Sequence, residues 1–433
     1  MKKIYKFLLS KEVIIYWIIT FALIIIMGSI IPQGDVKVIE DGKLPDLVKD
    51  FLIAIQANDL YRSPLFLTIM ILFYITLSIS TYQVIWPIFL SIFKKSKTPA
   101  IKHLMRYPTI LEVAGVDFNQ SKNIITKKGY KLTNEKEGLF HFEKGKWSKS
   151  SAMIAHISLF TILFGVIFSM LTSFKSTAAL VPNERITIKR IVDKADLKGK
   201  LVNTDNQDWS LKVNSFKINY YPNGQIQQYY SDLSVLDNKT NAELLRKTIF
   251  VNEPLVYNGV YFYQASWGVS HLQMVIDGKA QDVALQPLQN DQGNVSDKIV
   301  LGNNQYVLFL DKKNQVFVFD LDAQPVAQLL KDQNADVNGS NLELKDIVLF
   351  TGLQVKEDKG IPLVYIGFII LIVSLIINYF SYNQLWLIEN SGKYYLVGKA
   401  TRGQYLLERE ISKIADLIEI DKNIVTKNKS HIV

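Results

Sequence analysis

The side chain best placed to do chemistry in this sequence is a single histidine inside an apolar stretch. Residues 144–172 start with a short basic run and continue with about twenty mostly apolar residues, enough to cross the hydrocarbon of a bilayer. His156 is the ionisable side chain of that apolar part, and such a group is costly in lipid unless it faces a partner or a cavity. The pattern leaves two interpretations open: a functional imidazole, or a neutral one hydrogen-bonded to a neighbouring helix.

Other kinds of chemistry have little support in the sequence. No two of the five histidines have the spacing of metal ligands, and there is no Gly-x-Ser-x-Gly elbow, P-loop or glycine-rich dinucleotide turn. The chain contains no cysteine, so it cannot itself carry out thiol–disulfide exchange or hold an iron–sulfur cluster. An iron porphyrin would suit a lone intramembrane imidazole, because it is flat and largely apolar and its iron accepts an axial histidine.

Four apolar runs have the length of a membrane span and predict a multi-pass protein of the cell membrane. They are residues 13–31, 65–93, 151–172 and 361–380. The second run contains several polar side chains that can hydrogen-bond across helices, namely Ser78, Ser80, Thr81, Tyr82 and Gln83. The hydrophobic fraction, 48%, is too low for a helix bundle alone, so a sizeable soluble part is also expected.

The distribution of charge predicts the orientation in the membrane. Residues 94–150 carry thirteen basic and five acidic side chains, whereas residues 32–64 carry four basic and six acidic ones. The positive-inside rule therefore places both termini and residues 94–150 in the cytoplasm, and residues 32–64 and 173–360 outside. The formal net charge of +9 thus reports membrane topology and gives no support to a nucleic-acid partner.

The long outer segment, residues 173–360, has the pattern of an antiparallel β-rich domain. Asn258-Gly259 between two apolar runs is a strong hairpin signal. Two further hairpins are predicted, the first joining 216–220 to 225–236 and the second joining 306–310 to 315–321. The predicted fold class is four transmembrane α-helices with a large extracytoplasmic antiparallel β-rich domain and a small cytoplasmic α+β insert.

The predicted organisation has six segments along the chain. We expect short helices at 47–55 and 404–420, the latter with Leu407, Ile411, Ile414 and Ile418 on one face. The segments are residues 1–93 with helices 1 and 2 and a short outer loop, 94–150 as the insert, 151–172 as helix 3, 173–360 as the outer domain, 361–380 as helix 4, and 381–433 as a cytoplasmic tail.

Short motifs in a fixed order connect the chain to a known family. They are Gly28-Ser-Ile-Ile-Pro32-Gln33, Tyr61-Arg-Ser-Pro64, Trp147 nine residues before His156, Tyr230-Ser-Asp-Leu233, Val251-Asn-Glu-Pro-Leu255, Gly259-Val-Tyr-Phe-Tyr263-Gln264-Ala-Ser-Trp-Gly268, and Thr351-Gly352-Leu-Gln354. With these motifs the chain resembles, over nearly its whole length, the ResB-type cytochrome c biogenesis family, the smaller subunit of the System II machinery for haem handling and attachment.

The resemblance implies a role shared with other proteins. Members of the family work with a larger membrane subunit that has a tryptophan-rich haem-binding segment. The pair moves haem b to the outer face and supports its covalent attachment to apocytochrome c. His156 matches the histidine of the family's third helix that is held to be an axial ligand of haem iron. The tryptophans of this sequence are isolated from one another, so the chain resembles the accessory half, a non-catalytic subunit of a cytochrome c synthase (haem lyase) complex.

Two other classes of function agree with the residues alone. One is a membrane-anchored extracytoplasmic sensor, which would have a ligand pocket outside and no need for His156. The other is a structural membrane scaffold without haem binding. The sequence also departs from the family pattern, because Ser80 and Thr81 stand where relatives often keep cysteine.

Overall fold

The computed structural model describes residues 10–31, 33, 36–40, 42, 44–113, 116–136, 138–205, 207–288, 294–311 and 314–418. Pro32, one of the motif positions, lies outside these residues, and so does the part of the predicted tail beyond residue 418. The chain divides into two compact units. One is Phe168–Gly360, and the other combines Met1–Ile167 with Ile361–Val433.

Among the described residues, the chain is helical up to residue 104, and strands occur from residue 109 onward. The helices are α1 (Lys11–Ile30), α2 (Lys37–Glu40), α3 (Asp46–Ala54), α4 (Pro64–Ser80), α5 (Trp86–Leu90), α6 (Ile101–Leu104), α7 (Phe118–Lys127), α8 (Ser151–Thr172), α9 (Ile188–Asp193), α10 (Ile361–Tyr379) and α11 (Gln404–Ile418). A 3₁₀ segment, Ala57–Arg62, connects α3 to α4, and a π-helical turn, Thr81–Ile85, connects α4 to α5. A second 3₁₀ segment, Lys146–Ser150, leads into α8.

The strands are β1 (Thr109–Val113), β2 (Lys131–Lys136), β3 (Leu139–Lys144), β4 (Phe174–Leu180), β5 (Arg185–Thr187), β6 (Leu197–Lys198), β7 (Trp209–Tyr220), β8 (Ile226–Asp237), β9 (Glu243–Ile249), β10 (Leu255–Tyr257), β11 (Val260–Ile276), β12 (Lys279–Pro287), β13 (Asn294–Ser296), β14 (Ile299–Leu301), β15 (Asn304–Leu310), β16 (Val316–Phe319), β17 (Pro325–Leu329), β18 (Asn334–Val337), β19 (Ser340–Glu357), β20 (Asn383–Asn390) and β21 (Lys393–Ala400).

Four helical stretches are long and apolar enough to cross a membrane, which confirms the predicted set of spans. They are Glu12–Ile30, Pro64–Leu90, Lys146–Thr172 and Ile361–Tyr379. Their side chains are mostly exposed in the isolated chain, as apolar residues that face lipid must be. The second stretch contains α4, the π-helical turn and α5 as one nearly continuous helix of 27 residues.

Small residues bring α8 and α10 into close contact. A Cβ added to Gly165 would lie 2.9 Å from the backbone nitrogen of Val364, and one added to Gly367 would lie 3.0 Å from that of Ile162. About two turns from Gly367 along α10, the Ser374 hydroxyl donates a hydrogen bond of 2.8 Å to the carbonyl of Ser151. Small residues and hydroxyls of this kind are typical of helix pairs in lipid, where hydrophobic burial does not drive association.

A five-stranded antiparallel sheet completes the unit that contains the membrane helices. Its order is β1-β21-β20-β3-β2, so the two strands that follow the fourth membrane helix lie between β1 and β3, which come from residues 94–150. Helices α7 and α11 cover one face, and α11 buries Leu407, Ile411, Ile414 and Ile418, as its spacing predicts. We call this sheet with α6, α7 and α11 the inner domain.

The unit Phe168–Gly360 is built from two antiparallel sheets, which agrees with the predicted β-rich domain. Among its described residues, a twelve-stranded sheet centres on β11 and β19, and a four-stranded sheet has the order β5-β7-β8-β9. The long strands β11 and β19 contribute to two separate hydrophobic cores, with Phe262 and Leu353 in one, and Leu272 and Leu342 in the other.

The three hairpins predicted in this unit are present. β10 and β11 are joined by Asn258-Gly259, with φ of 49° and 81°, the positive values that a tight two-residue turn requires. β7 pairs with β8 across the Pro222-Asn-Gly224 turn, and β15 pairs with β16. The pairings that the local turn signals predict are therefore confirmed.

Candidate functional site

His156 lies in the second turn of α8, beside the π-helical turn that follows α4. Its Nδ1 is 2.7 Å from the Thr81 hydroxyl oxygen. Deeper along the same pair of helices, the rings of Tyr74 and Phe160 meet edge to face at 5.0 Å. The two helices are therefore in contact at both levels, and the sequence-predicted candidate has a partner from another membrane helix.

The direction of the Thr81 hydrogen bonds defines the protonation of the imidazole. The Thr81 hydroxyl is also 2.7 Å from the carbonyl oxygen of Leu77. A carbonyl oxygen can only accept, so the hydroxyl proton lies between Thr81 and Leu77. The proton between Thr81 and His156 must then come from the imidazole, which means that Nδ1 carries hydrogen. In a neutral ring this leaves Nε2 unprotonated, with a lone pair available.

The free nitrogen of His156 has no hydrogen-bond partner among the described residues. The side chain is only partly buried, so Nε2 is not sealed in a core. An unprotonated imidazole nitrogen on an apolar helix surface can bind the iron of a planar apolar porphyrin, and a hydrogen bond at the other ring nitrogen is the usual support for such a ligand. His156 and its surroundings therefore fit an axial haem ligand. The described residues contain no group of three His, Cys, Asp or Glu side chains that could hold a bare metal ion.

A second imidazole, His141 of β3, is fully buried in the inner domain and is engaged at both nitrogens. Its Nδ1 is 3.2 Å from the Thr98 hydroxyl, and its Nε2 is 3.3 Å from the amide nitrogen of Gln384. Its ring stacks on Trp386 with centroids 4.9 Å apart. Burial lowers the pKa of His141 to about 4, although the nearby Glu143 opposes this change.

The basic residues before helix α8 are held by protein groups. Lys146 Nζ donates to the carbonyl of Lys94 at 2.7 Å and lies 3.3 Å from the Glu143 carboxylate. Lys149 Nζ lies 4.0 Å over the ring of Tyr382, whose hydroxyl donates to Glu143. Burial disfavours the charged form of Glu143, but hydrogen bonds from Ser96 and Tyr382 and the charge of Lys146 hold its pKa below the ordinary value.

The first two family motifs come together at one end of α1 and α4. A Cβ on Gly28 would lie 2.6 Å from Cζ of Tyr61, so a larger residue would displace that ring. The Gln33 side-chain amide donates to the carbonyl of Ala57 at 3.0 Å, and its oxygen accepts from the backbone of Leu60 at 3.1 Å. These positions hold the loop between the helices.

Trp147, the third motif, lies in the 3₁₀ segment that leads into α8. Its side chain is 53% exposed, and its ring centroid is 6.1 Å from that of Phe380 at the end of α10. A large amphipathic ring at the end of a membrane helix is typical of the membrane–water interface. The position therefore fits an anchor for the helix end.

The motif positions of the unit Phe168–Gly360 surround a buried polar network between strands. Gln264 Oε1 accepts from the hydroxyls of Ser231 and Thr351, and its amide donates to the carbonyl of Ser266 at 2.8 Å. The Ser231 and Thr351 hydroxyls are 2.8 Å apart. Gln264 sits where the pairing of β11 with β19 shifts register, and the network links both strands to β8. All its polar atoms are satisfied internally, which indicates a structural role.

The remaining motif positions of this unit lie on or next to β11 and β19 and serve packing or turn formation. Gly352 lies opposite Ser266, and an added Cβ would collide with the Ser266 hydroxyl. Gly268 lies under the Phe350 ring, 2.7 Å from where its Cβ would be. Gly259 forms the hairpin turn described above. Tyr263 stacks on Tyr261 and lies under Lys356 Nζ at 4.7 Å, and Gln354 is its cross-strand neighbour.

Thus His156 differs from the other described motif positions, whose contacts stabilise the unit to which each of them belongs. The sequence indicates five polar residues in the second membrane helix, but it does not indicate which of them contacts His156. The structure shows that the partner is Thr81. Sequence reasoning also missed the buried cluster around Glu143. A signal for the latter exists in the sequence, because Glu143 and Lys146 are acidic and basic residues three apart next to a membrane span.

Comparisons with known proteins cover nearly the whole chain. The model of the ResB-like family matches residues 13–308 and 295–412. A cytochrome c biogenesis protein CcsB from Nostoc sp. is 30% identical over 427 residues, 95% of this chain and 92% of the relative. A CcsB from Crocosphaera subtropica is 29% identical over 435 residues, 97% of this chain and 95% of its own. A cytochrome c biogenesis protein Ccs1 from Rhodomonas salina is 28% identical over 439 residues, 94% of each chain.

Proposed function

Because this chain belongs to the ResB-like family, we propose that it acts in cytochrome c biogenesis as the smaller membrane subunit of a haem-handling pair. In this proposal it works with a larger subunit that has a tryptophan-rich segment, helps to move haem b to the outer face, and supports its attachment to apocytochrome c. Haem is the cargo of the pair, and this chain is its non-catalytic part. The names of the relatives support the process, and the geometry of His156 supports the ligand.

The observation that carries the proposal is the free Nε2 of His156 inside a membrane helix. The imidazole is oriented by Thr81 through Nδ1, and the opposite nitrogen is partly exposed at an apolar surface. A polar atom left open in this way has a desolvation cost in lipid that a merely structural histidine would avoid. Coordination of iron removes that cost, since the iron takes the lone pair. His156 would then hold the iron, and the apolar helix surface would offer contacts to the porphyrin ring.

The proposed topology places both termini and the inner domain in the cytoplasm and residues 173–360 outside. His156 is then near the cytoplasmic end of its helix, on the side from which haem would be supplied. Reporter fusions after Asp237 and after Lys399 test this arrangement, because they should lie on opposite sides of the membrane. Fusions that report the same side would reject the topology while leaving the ligand proposal open.

The test of the ligand is the absorbance of the protein purified with its larger subunit. His156→Ala should lose or shift the Soret band and stop formation of holocytochrome c, because the axial nitrogen is gone. Added imidazole should partly restore both, since it can fill the vacated coordination position. His103→Ala, which changes an exposed histidine of the inner domain, is the matched control and should change neither. An unchanged Soret band and normal holocytochrome c in His156→Ala would reject the role and favour a sensor or scaffold.

A further inference from the structure

We propose that Thr81 is a positioning residue for His156, whose hydroxyl selects the tautomer that presents Nε2 to iron and keeps that bond weak enough for haem to be passed on. This inference rests on the proposed function. It concerns a residue of another helix, at the start of the π-helical turn. Its evidence is the pair of 2.7 Å contacts that the Thr81 oxygen makes, one with Leu77 and one with His156.

The Thr81 hydroxyl excludes the unproductive tautomer. Its proton is committed to the Leu77 carbonyl, so only a lone pair faces His156 Nδ1. An imidazole with hydrogen on Nε2 would bring its Nδ1 lone pair against that oxygen lone pair at 2.7 Å, which is repulsive. The productive tautomer, with hydrogen on Nδ1, makes a hydrogen bond instead. Thr81 thus determines which nitrogen can bind a metal.

The backbone around Thr81 holds the hydroxyl in place. The amide of Thr81 donates to the carbonyls of Leu77 and Ser78, and its own carbonyl accepts from the amide of Trp86, five residues on. Threonine is stiff about its first side-chain torsion, and the bond back to Leu77 fixes the remaining choice. Thr81 is the first residue of a π-helical turn, a local irregularity that is frequent at functional sites.

The chemistry of a hydroxyl acceptor suits a protein that must release its cargo. Metal-bound histidines often donate to a carboxylate, which raises the basicity of the imidazole and strengthens its bond to the metal. The Thr81 oxygen is neutral, so it supports the imidazole less strongly than a carboxylate would. His156 is therefore oriented like the histidine of a permanent metal site, but its imidazole is less basic than one that donates to a carboxylate. This combination favours exchange of iron over permanent retention.

The first test examines the tautomer without haem. In protein with ¹⁵N-labelled histidine, the ring nitrogens of His156 can be assigned by their absence from His156→Asn. We expect one protonated nitrogen, Nδ1, in the wild type and in Thr81→Ser, which keeps the hydroxyl. Thr81→Val should give a mixture of tautomers. Thr76→Val is the matched control, because Thr76 makes the same bond back to its helix, at 2.9 Å, with no histidine at its oxygen.

The second test measures haem retention by the purified pair. Thr81→Val should weaken haem binding about 10- to 100-fold, the usual effect of removing a group that orients a metal ligand, whereas Thr81→Ser and Thr76→Val should stay close to the wild type. Thr81→Asp should slow haem release, because its carboxylate supports the imidazole more strongly. If Thr81→Val does not accumulate, Thr81→Ala removes the same acceptor with a smaller side chain.

The outcomes separate this inference from the proposed function. If His156→Ala keeps the Soret band, the ligand role fails, whatever the tautomer. If His156→Ala loses the Soret band but Thr81→Val and Thr81→Ala keep both the wild-type tautomer and haem retention, the ligand role stands and the role of Thr81 is overturned. A loss in Thr76→Val as large as that in Thr81→Val would likewise overturn it, by showing a general effect on the helix.

Discussion

His141 and His156 have similar contacts at Nδ1 and different surroundings at Nε2. In both, Nδ1 faces a threonine hydroxyl, Thr98 at 3.2 Å and Thr81 at 2.7 Å. The Nε2 of His141 accepts from Gln384 inside a fully buried site, whereas the Nε2 of His156 has no partner among the described residues and lies at a partly exposed surface. A histidine whose two ring nitrogens both have hydrogen-bond partners in the protein stabilises the fold. A histidine with one free ring nitrogen can bind a ligand.

The sharpest test of this comparison places the same substitution at both histidines. An asparagine at position 156 can still donate and accept a hydrogen bond next to Thr81, but it supplies no imidazole nitrogen. We expect His156→Asn to reduce holocytochrome c to the background of a strain without the chain. Its thermal stability in detergent should change by no more than about 1 kcal/mol, because a single hydrogen bond is altered. Normal holocytochrome c would mean that the open nitrogen has no function.

At His141 we expect the opposite result, a loss of stability with unchanged haem binding. His141→Asn removes most of a ring that stacks on Trp386 in a site with no exposure, and it leaves Thr98 and Gln384 without one partner. The resulting cavity and unpaired groups should cost about 2–4 kcal/mol of stability. The Soret band of the protein that still folds should be unchanged. A spectral change without a loss of thermal stability would contradict the assignment of His141 to the fold.

The burial of His141 also leads us to expect that the stability of the protein depends on pH. Burial lowers the pKa of His141 from 6.5 to about 4, so between these values the unfolded chain binds a proton that the folded chain does not. Stability should therefore be full above pH 6.5 and fall by up to about 3 kcal/mol as the pH decreases to 4. Glu143, whose pKa is held below its ordinary value, acts in the same direction at lower pH. Thermal scans of the wild type and His141→Asn check this, because the variant should lose most of the slope between pH 6.5 and 5.

Local signals explain what the sequence could predict. The four spans follow from hydropathy alone, and Asn258-Gly259 requires positive φ at both turn positions, so the hairpin needs no knowledge of the rest of the chain. The face of α11 follows from the 3.6-residue period. His156 is a candidate for the same reason, since a histidine within an apolar run is conspicuous by itself.

Pairings between distant segments explain what the sequence could not predict. The inner domain depends on β3 pairing with β20, although the whole unit Phe168–Gly360 lies between them in sequence. No local turn motif indicates that pairing. Gly28 and Tyr61 are recognisable as motifs, but only the structure shows that one accommodates the other. The choice of Thr81 among the polar residues of its helix depends on how two helices pack and on a π-helical turn, which no periodicity indicates.

The smallest expected effect concerns the threonines that face the two histidines. Thr98→Val removes the acceptor of the His141 Nδ1 proton and of the Asn134 amide, which donates to Thr98 at 2.9 Å. Thr98 is only partly buried and its bond to His141 is long, so the cost should be about 1 kcal/mol, seen as a slightly lower thermal midpoint with normal haem binding. Thr81→Val should show the opposite, with weaker haem binding and little change in midpoint. If both variants changed haem binding and thermal midpoint in the same way, the free Nε2 of His156 would not distinguish a ligand-binding histidine from the structural His141.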